Sequence, residues 1–449
     1  YASDNMFVLK RKMTENLLKW MSDPNKKCLL VMGARQVGKT FTINEFAKAN
    51  YDNYVYVNFE LDQKTRMIFD GDLDMDTIIF RMSTMVPGAR LVPGKTLIFL
   101  DEIQSCPGAR TALKTFSMDK RFDVVASGSL LGLNYREVSS YPVGYETKLW
   151  MHPLDFGEFL WAYGLDDTVI KRMSEMVRKR RHVDEPTLRQ FEEYFLRYVV
   201  VGGMPEAVKA FFATKDAGAV RAVQEGIVSG YMDDIKKYVD GPDKQRAQAC
   251  LDSIPAQLMK RNKRFLYSDV EKRENVGIRE YGNSLSWLRD AGIISFCHNV
   301  SDPAIPLAVN KKAEVFKAYM NDTGLLMSMM GDGASIALLC KDVSMNSGAI
   351  YENAVADVLD KKGLKLYYFE KRGRLEIDFL TVLDAELTAV EVKSGNDVQS
   401  KSLDALMSNH GVKRGIKLGR TGIANDGDIE CYPLFAAFFL FPDASGYPF

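Results

Sequence analysis

A glycine-rich loop at residues 33–40 is the feature that most constrains this chain. Gly33, Gly38, Lys39 and Thr40 stand in the spacing G-x-x-x-x-G-K-T. The apolar run before the loop predicts a buried strand, and apolar residues at 41, 43, 46 and 47 predict a helix after it. A strand, a glycine-rich turn and a helix N-terminus together cradle phosphate oxygens. We therefore predict that the nucleotide is bound by Gly33, Ala34, Arg35, Gln36, Val37, Gly38, Lys39, Thr40 and Phe41.

The last two residues of this loop have separate predicted tasks. The amine of Lys39 would reach the β- and γ-phosphates of the nucleotide, and the hydroxyl of Thr40 would hold Mg²⁺. ATP and Mg²⁺ are therefore the expected ligands. The alternative is a chance turn before a helix, which the second motif along the chain disfavours.

The second motif is an apolar run at 96–100 that leads into Asp101 and Glu102. A run without alternation is typical of a central parallel strand, and ligands of open α/β sheets bind at the carboxyl ends of such strands. We expect Asp101 to contribute to the Mg²⁺ site and Glu102 to orient or deprotonate the attacking water. Together with the loop, this pair predicts hydrolysis of the nucleotide as well as binding.

A third core strand is predicted at 123–129, where small polar residues follow the apolar ones. Ser127 or Ser129 could place a hydroxyl on the γ-phosphate as a sensor, or both could simply cap the strand end, and the sequence favours neither. An arginine finger could come from Arg110, Arg121 or Arg136, each of which could equally be a surface charge.

Composition places the chain among folded proteins of several domains. Its 449 residues suggest about three domains. The 59 basic and 59 acidic residues cancel, so net charge argues neither for nor against nucleic acid. The six cysteines form no C-x-x-C pair, which favours free thiols in a reducing cytoplasm. No apolar run predicts a membrane span or a signal peptide, and we expect a cytoplasmic protein.

The motifs at 33–40, 100–104 and 126–129 resemble those of a family of uncharacterised prokaryotic AAA-type P-loop ATPases, and 153–159 matches its segment after the core. Many relatives carry Gly-Arg before that segment, where this chain has Gly144 and Tyr145. The resemblance implies an α/β fold with a parallel P-loop sheet and three further parts. We expect an ATPase core at 1–155, a helical lid at 156–240, a winged-helix region at 241–330 and a nuclease-like domain at 331–449.

The predicted lid and winged helix contain weaker signals. Gly203 and Pro205 resemble a G-x-P element in the lids of signal-transduction ATPases, where the proline lies against the nucleotide; the alternative is Pro205 in the first turn of a helix. The basic run 178–182 could contact phosphates or form a solvated surface. Residues 281–297 predict a helix and then a strand, a pattern that binds DNA in some proteins and joins domains in others.

Four charged residues in the C-terminal region form the second predicted site. Glu352 lies on a predicted helix, Asp378 on a strand, and Glu391 and Lys393 on the next strand with the same orientation. This set resembles the PD-(D/E)XK site of restriction-endonuclease-like domains. The resemblance implies that Asp378 and Glu391 bind Mg²⁺, that Glu352 holds a second metal or its water, and that Lys393 assists the attacking water. The alternative is a nuclease-like fold that only binds.

These observations predict an ATP-hydrolysing AAA-type ATPase coupled to a metal-dependent nuclease-like domain that acts on nucleic acid. The main alternative is an ATP-dependent switch that binds DNA or a protein partner and cleaves nothing. A third is a nucleotide-bound scaffold with slow turnover. The oligomeric state stays open, a homo-oligomer included.

Overall fold

The computed structural model describes residues 7–128, 144–271, 277–331, 333–342, 345–371, 375–395 and 400–443. They fall into two compact units: the first is Lys10–His152, and the second is Tyr1–Leu9 together with Pro153–Phe449. The predicted ATPase core, 1–155, overlaps the first unit, and its bounds stay a prediction. The predicted lid, winged-helix region and nuclease-like domain do not form separate units.

The first unit contains a five-stranded parallel sheet in the order β2-β3-β4-β1-β5. Its strands are β1 Cys28–Met32, β2 Asn53–Asn58, β3 Thr96–Asp101, β4 Asp123–Gly128 and β5 Glu146–Trp150. Its helices are α1 Lys12–Ser22, α2 Lys39–Asn50, α3 Met75–Met85 and α4 Pro107–Asp119. All six residues of β3 are buried, as the apolar run predicts for a central parallel strand. Because the strands are parallel, the carboxyl ends of β1, β3 and β4 lie at one edge of the sheet.

The helices of the second unit are α5 Phe156–Ala162, α6 Asp167–Arg178, α7 Glu185–Val201, α8 Pro205–Thr214, α9 Ala217–Tyr238, α10 Asp243–Leu258, α11 Ser268–Glu271, α12 Ile278–Asp290, α13 Thr323–Met329, α14 Ala334–Leu339, α15 Gly348–Lys361, α16 Lys401–His410 and α17 Ala437–Leu440. Aspartates begin several of them. Asp155, Asp166, Asp184 and Asp216 each accept backbone N–H groups of the first turn of α5, α6, α7 and α9. This capping satisfies donors that a helix start leaves without partners.

An eight-stranded mixed sheet in the order β12-β13-β11-β10-β9-β8-β6-β7 completes the second unit. Its strands are β6 Ile294–Val300, β7 Lys311–Met320, β8 Tyr367–Lys371, β9 Leu375–Leu383, β10 Glu386–Val392, β11 Arg414–Gly419, β12 Ala424–Asp426 and β13 Ile429–Pro433. The predicted helix and strand at 281–297 are α12 and β6. However, β6 also pairs with β8 through His298 and Tyr367. The strands expected to form a wing therefore extend the C-terminal sheet, and the predicted boundary after residue 330 separates partners within it.

Within the described ranges, no helix is both long enough and apolar enough to cross a membrane.

Candidate functional site

The predicted phosphate-binding loop lies between the end of β1 at Met32 and the start of α2 at Lys39. Position 33 requires glycine, because the φ of Gly33 is 156° and an added Cβ would overlap the carbonyl oxygen of Met151. Gly38, with φ 95°, makes the turn into the helix. The Arg11 guanidinium holds the loop from outside by donating to the carbonyl of Val37 at 2.7 Å. Backbone geometry thus supports the curled loop that the glycine spacing predicts.

Lys39 lies in the loop with its amine on the loop's own backbone. Its Nζ donates to the carbonyl oxygens of Gly33 at 3.0 Å and Ala34 at 2.8 Å. Burial lowers the pKa of Lys39, while the carboxylates of Glu102 and Asp101 act in the opposite direction. The amine therefore faces the loop interior and the acidic strand end, where phosphate oxygens would replace the carbonyls as its partners.

At the end of β3, Asp101 accepts hydrogen bonds from three other elements, α2, β2 and β4, and from the backbone of the next residue. One carboxylate oxygen, Oδ2, accepts from Thr40 Oγ1 at 2.9 Å, Tyr56 OH at 3.0 Å and Asn58 Nδ2 at 3.1 Å. The other, Oδ1, accepts from the Ser127 hydroxyl and from the backbone N–H of Glu102 at 3.1 Å. The predicted Mg²⁺ residues Thr40 and Asp101 are thus in contact. Their hydroxyl and carboxylate oxygens fit the hard-oxygen preference of Mg²⁺.

Glu102 has an unusual backbone conformation, with φ 55° and ψ 47°. Its Oε2 accepts from Gln104 Nε2 at 2.5 Å. Burial raises the pKa of Glu102, and the Gln104 hydrogen bond acts against that rise. A left-handed conformation in a non-glycine residue is costly and is found disproportionately at functional sites. The carboxylate is thus held by its own strained backbone and by Gln104.

Three residues of this site have no role in the sequence prediction: Tyr56, Asn58 and Gln104. The period-two pattern of β2 puts positions 56 and 58 on one face of the strand, and Asn58 lies opposite Asp101 in the register. The sequence alone does not show that β2 pairs with β3 in this register, so it does not predict that Tyr56 and Asn58 contact Asp101. Gln104 lies two residues beyond Glu102, and an added Cβ at Gly128 would come within 2.5 Å of its Oε1. Gly128 therefore leaves room for the Gln104 side chain.

The two predicted sensor serines and the three candidate finger arginines have different surroundings in the structure. Ser127 is fully buried and bonded to Asp101, whereas Ser129 and Arg136 lie outside the described residues. Arg110 is 1% exposed and forms a two-pronged ion pair with Glu146, its Nη2 lying 2.7 Å from Oε1. Arg121 is engaged by Asp119. Arg110 is thus a buried structural cation in the first unit.

Pro205 occupies the first turn of α8, the alternative that its sequence context predicted. The preceding glycine, Gly203, donates its backbone N–H to Asp322 Oδ2 at 2.7 Å and accepts from the Leu154 N–H at 2.7 Å. The segment before α8 is therefore fixed within the second unit. Contact of Pro205 with the nucleotide stays a prediction.

The four predicted C-terminal residues lie in one region of the mixed sheet. Glu352 is buried on α15, Asp378 is on β9, Glu391 is on β10, and Lys393 follows directly after β10. Lys393 Nζ lies 2.7 Å from Glu391 Oε1, so the two side chains share a face as predicted. Asp378 Oδ2 accepts the backbone N–H of Val392 at 2.8 Å, which joins β9 to β10.

Two lysines that the sequence prediction did not include complete this cluster. Lys317 Nζ, on β7, lies 2.9 Å from Glu352 Oε1 and 3.9 Å from Asp378 Oδ1. Lys263 pairs with the other oxygen of Glu352. Burial opposes the ionisation of Glu352, but these ammonium groups hold its pKa below the usual value. Burial, with Glu352 nearby, raises the pKa of Asp378.

This arrangement does not fit the metal site predicted from Glu352, Asp378 and Glu391. Across the described ranges, no group of three or more His, Cys, Asp or Glu side chains is arranged to hold a metal ion. Lys317 lies between Glu352 and Asp378, so an ammonium group already stands beside Asp378, one of the two predicted Mg²⁺ ligands, and beside Glu352, the residue predicted for a second metal. The sequence prediction does not include Lys317 because this residue lies in the predicted winged-helix region, 241–330, outside the predicted nuclease-like domain.

Comparison with known proteins assigns a class to the first unit. A family model described as AAA domain matches residues 25–160. Two models described as Domain of unknown function (DUF8612) and Domain of unknown function (DUF4143) match residues 192–335 and 347–429. Together with the parallel sheet and the loop, the first match places residues 25–160 in the AAA class of P-loop ATPase domains.

Individual relatives are distant. An uncharacterized protein of Methanocaldococcus jannaschii is 20% identical over 389 residues, which are 84% of this chain and 77% of that protein. The structure of the Aeropyrum pernix ORC1 protein in complex with DNA is 15% identical with a TM-score of 0.29, covering 74% of this chain and 91% of that chain. The RuvB Holliday junction branch migration motor of Thermotoga maritima is 13% identical with a TM-score of 0.30, covering 64% and 89%. At these scores the structural likenesses carry no argument about this chain.

Proposed function

We propose that this protein is an ATP hydrolase whose nucleotide state controls the binding of a nucleic acid or protein partner by its second unit. The main support for ATP hydrolysis is the contact between Thr40 Oγ1 and Asp101 Oδ2, which lie 2.9 Å apart where the loop meets the end of β3. A hydroxyl and a carboxylate at this point form the protein's share of a Mg²⁺ site in P-loop enzymes. Mg²⁺ would supply charge neutralisation for the phosphates.

Each residue of the site has a task in this proposal. The Lys39 amine exchanges its two carbonyl partners for phosphate oxygens. Glu102 orients the attacking water and accepts its proton. Burial raises its pKa towards the range in which a carboxylate is an effective general base. Gln104 fixes the position of the Glu102 carboxylate from one side.

The hydrolase is tested by nucleotide binding and phosphate release, measured on the full chain. We expect Lys39→Ala to abolish ATP binding, and Glu102→Gln to bind ATP but to hydrolyse it at least about 100-fold more slowly. Lys48→Ala is the matched control, because Lys48 lies on the same helix, pairs with exposed Glu45 and is remote from the loop. Hydrolysis by Lys39→Ala at the normal rate would refute the proposal. Unaltered partner binding in Glu102→Gln, with ATP trapped, would favour a scaffold.

For the second unit we propose binding without cleavage, the alternative in which the protein acts as a switch. The specific support is Lys317, which lies between Glu352 and Asp378. Coupled cleavage of nucleic acid by Asp378, Glu391 and Lys393 is the second candidate, supported by the shared face of Glu391 and Lys393. The γ-phosphate would favour one state of the second unit, and hydrolysis would release it.

The two candidates are separated by incubating the chain with plasmid and single-stranded DNA, in Mg²⁺ or Mn²⁺, with and without ATP. We expect no cleavage, and DNA affinity that differs between the ATP and ADP states. Cleavage that is lost in Asp378→Ala would establish the nuclease instead. If the affinity for DNA is the same with ATP and with ADP, ATP does not control binding of a DNA partner. A protein partner would then be the remaining candidate.

A further inference from the structure

We propose that the ammonium group of Lys317 is the resident cation of the carboxylate cluster formed by Glu352, Glu376 and Asp378, and that it excludes a divalent metal from this cluster. The inference rests on the proposed non-cleaving role of the second unit and is independent of the ATPase. It places a lysine beside Asp378, one of the two residues to which the sequence pattern gives Mg²⁺.

The contacts of Lys317 Nζ carry the proposal. Three carboxylates surround the amine, with Glu376 Oε1 at 2.8 Å, Glu352 Oε1 at 2.9 Å and Asp378 Oδ1 at 3.9 Å. They come from β9 and α15, whereas the lysine comes from β7. The side chain of Lys317 is 1% exposed. A cation so deeply buried is stable only when carboxylates compensate its lost hydration, as these three do.

The ring of Tyr368 adds a further contact to the amine. Lys317 Nζ lies 4.8 Å from the centre of this ring, within the range of a cation–π interaction. A divalent ion surrounded by water and oxygen ligands gains little from an aromatic ring. An ammonium group on an aliphatic side chain is attracted to the face of such a ring. The cluster therefore offers the lysine an aromatic face as well as carboxylates.

Both oxygens of Glu352 already have donors. Its Oε1 accepts from the Tyr319 hydroxyl as well as from Lys317, and its Oε2 pairs with Lys263. Two ammonium groups thus share the Glu352 carboxylate, although Lys317 also pairs with Glu376. A divalent ion that binds Glu352 would have to displace one of these lysines.

The outer carboxylate of the region is also engaged. Glu391 Oε1 is paired with Lys393, and only its buried Oε2 has no hydrogen-bond partner within the described ranges. Asp378 Oδ2 already accepts the N–H of Val392. Asp378 Oδ1 and Glu391 Oε2 are the oxygens of the predicted Mg²⁺ pair that remain, and Lys317 lies 3.9 Å from the first of them.

The first test measures Mn²⁺ binding by electron paramagnetic resonance on the full chain without nucleotide, for the wild type and Asp378→Asn. We expect both proteins to bind the same number of Mn²⁺ ions and to show equal shifts of Tm with Mn²⁺. An additional ion in the wild type that is lost in Asp378→Asn would overturn the proposal.

The second test removes the resident cation. We expect Lys317→Ala to gain one Mn²⁺ ion, and Lys317→Ala combined with Glu352→Gln to lose it again. Lys312→Ala, an exposed lysine of the same strand, is the control and should gain nothing. A folded Lys317→Ala protein that gains no ion would show that the ammonium group is not what excludes metal. If this variant does not fold, the comparison of the wild type with Asp378→Asn decides alone.

These outcomes separate the inference from the proposed function. A wild type that binds Mn²⁺ through Asp378 but leaves DNA intact refutes the resident lysine and keeps the non-cleaving switch. A wild type that binds Mn²⁺ and cleaves DNA refutes both. Neither result bears on hydrolysis of ATP, which is measured separately.

Discussion

Arg110 provides the sharpest test of the structural reasoning about the first unit. Its guanidinium and the Glu146 carboxylate are 1% and 7% exposed and form a two-pronged ion pair between α4 and β5. Breaking a buried pair from one side costs about 3–5 kcal/mol, because the remaining charge loses its partner. Lys148 Nζ, 3.3 Å from Glu146 Oε1 and 55% exposed, would offset part of that cost. We therefore expect Arg110→Met to lower the free energy of unfolding by about 3 kcal/mol.

The assay is thermal and urea unfolding of the full chain, following the transition of the first unit. About 3 kcal/mol corresponds to a decrease in Tm of about 6–12 °C for a unit of this size. We expect Arg110→Met combined with Glu146→Leu to recover most of the loss, since no charge is then left buried alone. Arg121→Met is the control: Arg121 is 36% exposed, and its pairs should contribute less than about 1 kcal/mol.

The same variants decide whether Arg110 acts on the nucleotide. Because both of its terminal nitrogens are held by Glu146, the double variant should hydrolyse ATP at the normal rate at a temperature where it is folded. A stable double variant that has lost hydrolysis would refute the structural role and make Arg110 an arginine finger. A cost below about 1 kcal/mol for Arg110→Met alone would refute the energetic argument.

Three further predictions concern single positions. Gly33→Ala should destabilise the first unit by at least about 2 kcal/mol and impair ATP binding, because the new Cβ overlaps the Met151 carbonyl. Gly88→Ala, where φ is 75° and nothing lies near, should cost only about 1 kcal/mol, and equal losses of Tm would contradict this reasoning. Glu102→Gln should raise the apparent Tm in ATP above that of the wild type, because bound ATP is no longer consumed; no difference would argue against its role as the base. Burial raises the pKa of Asp357 to about 7, so the folded protein holds a proton there that the unfolded chain releases above about pH 4. This contribution to stability is present at low pH and is lost as pH rises to about 7; Tm of the wild type should thus fall relative to Asp357→Asn between pH 5 and 8, and a constant difference would refute it.

The first unit could be predicted from sequence because its signals are local. The loop, the helix that follows it and the acidic end of β3 lie within short stretches whose residue types determine backbone conformation directly. Gly33 and Gly38 adopt the positive φ values that the motif requires. The buried run of β3 needs no partner to be recognised as a central strand. The AAA domain match at 25–160 confirms the class that these stretches predict.

The partners of Asp101 could not be predicted in the same way. Tyr56 and Asn58 reach its carboxylate from the neighbouring strand, at contacts of 3.0 and 3.1 Å. Which strand lies beside β3, and in what register, depends on tertiary packing that a single sequence does not encode locally. Tyr56 and Asn58 therefore read as ordinary members of an alternating strand until β2 and β3 are paired.

The C-terminal cluster shows why matching residue types do not suffice to predict chemistry. Glu352, Asp378, Glu391 and Lys393 lie in one region of the second unit, and the site that the pattern predicts from them stays a prediction. Whether such carboxylates bind a metal depends on the net charge of everything that reaches them, and the deciding charge is on Lys317, from a strand that the sequence assigned to another part. A carboxylate that already pairs with a lysine attracts a metal ion less strongly, because the ammonium group repels the incoming ion. The same four residues can therefore serve cleavage in one chain and hold a sheet together in another, and a prediction of function has to count cations as well as ligands.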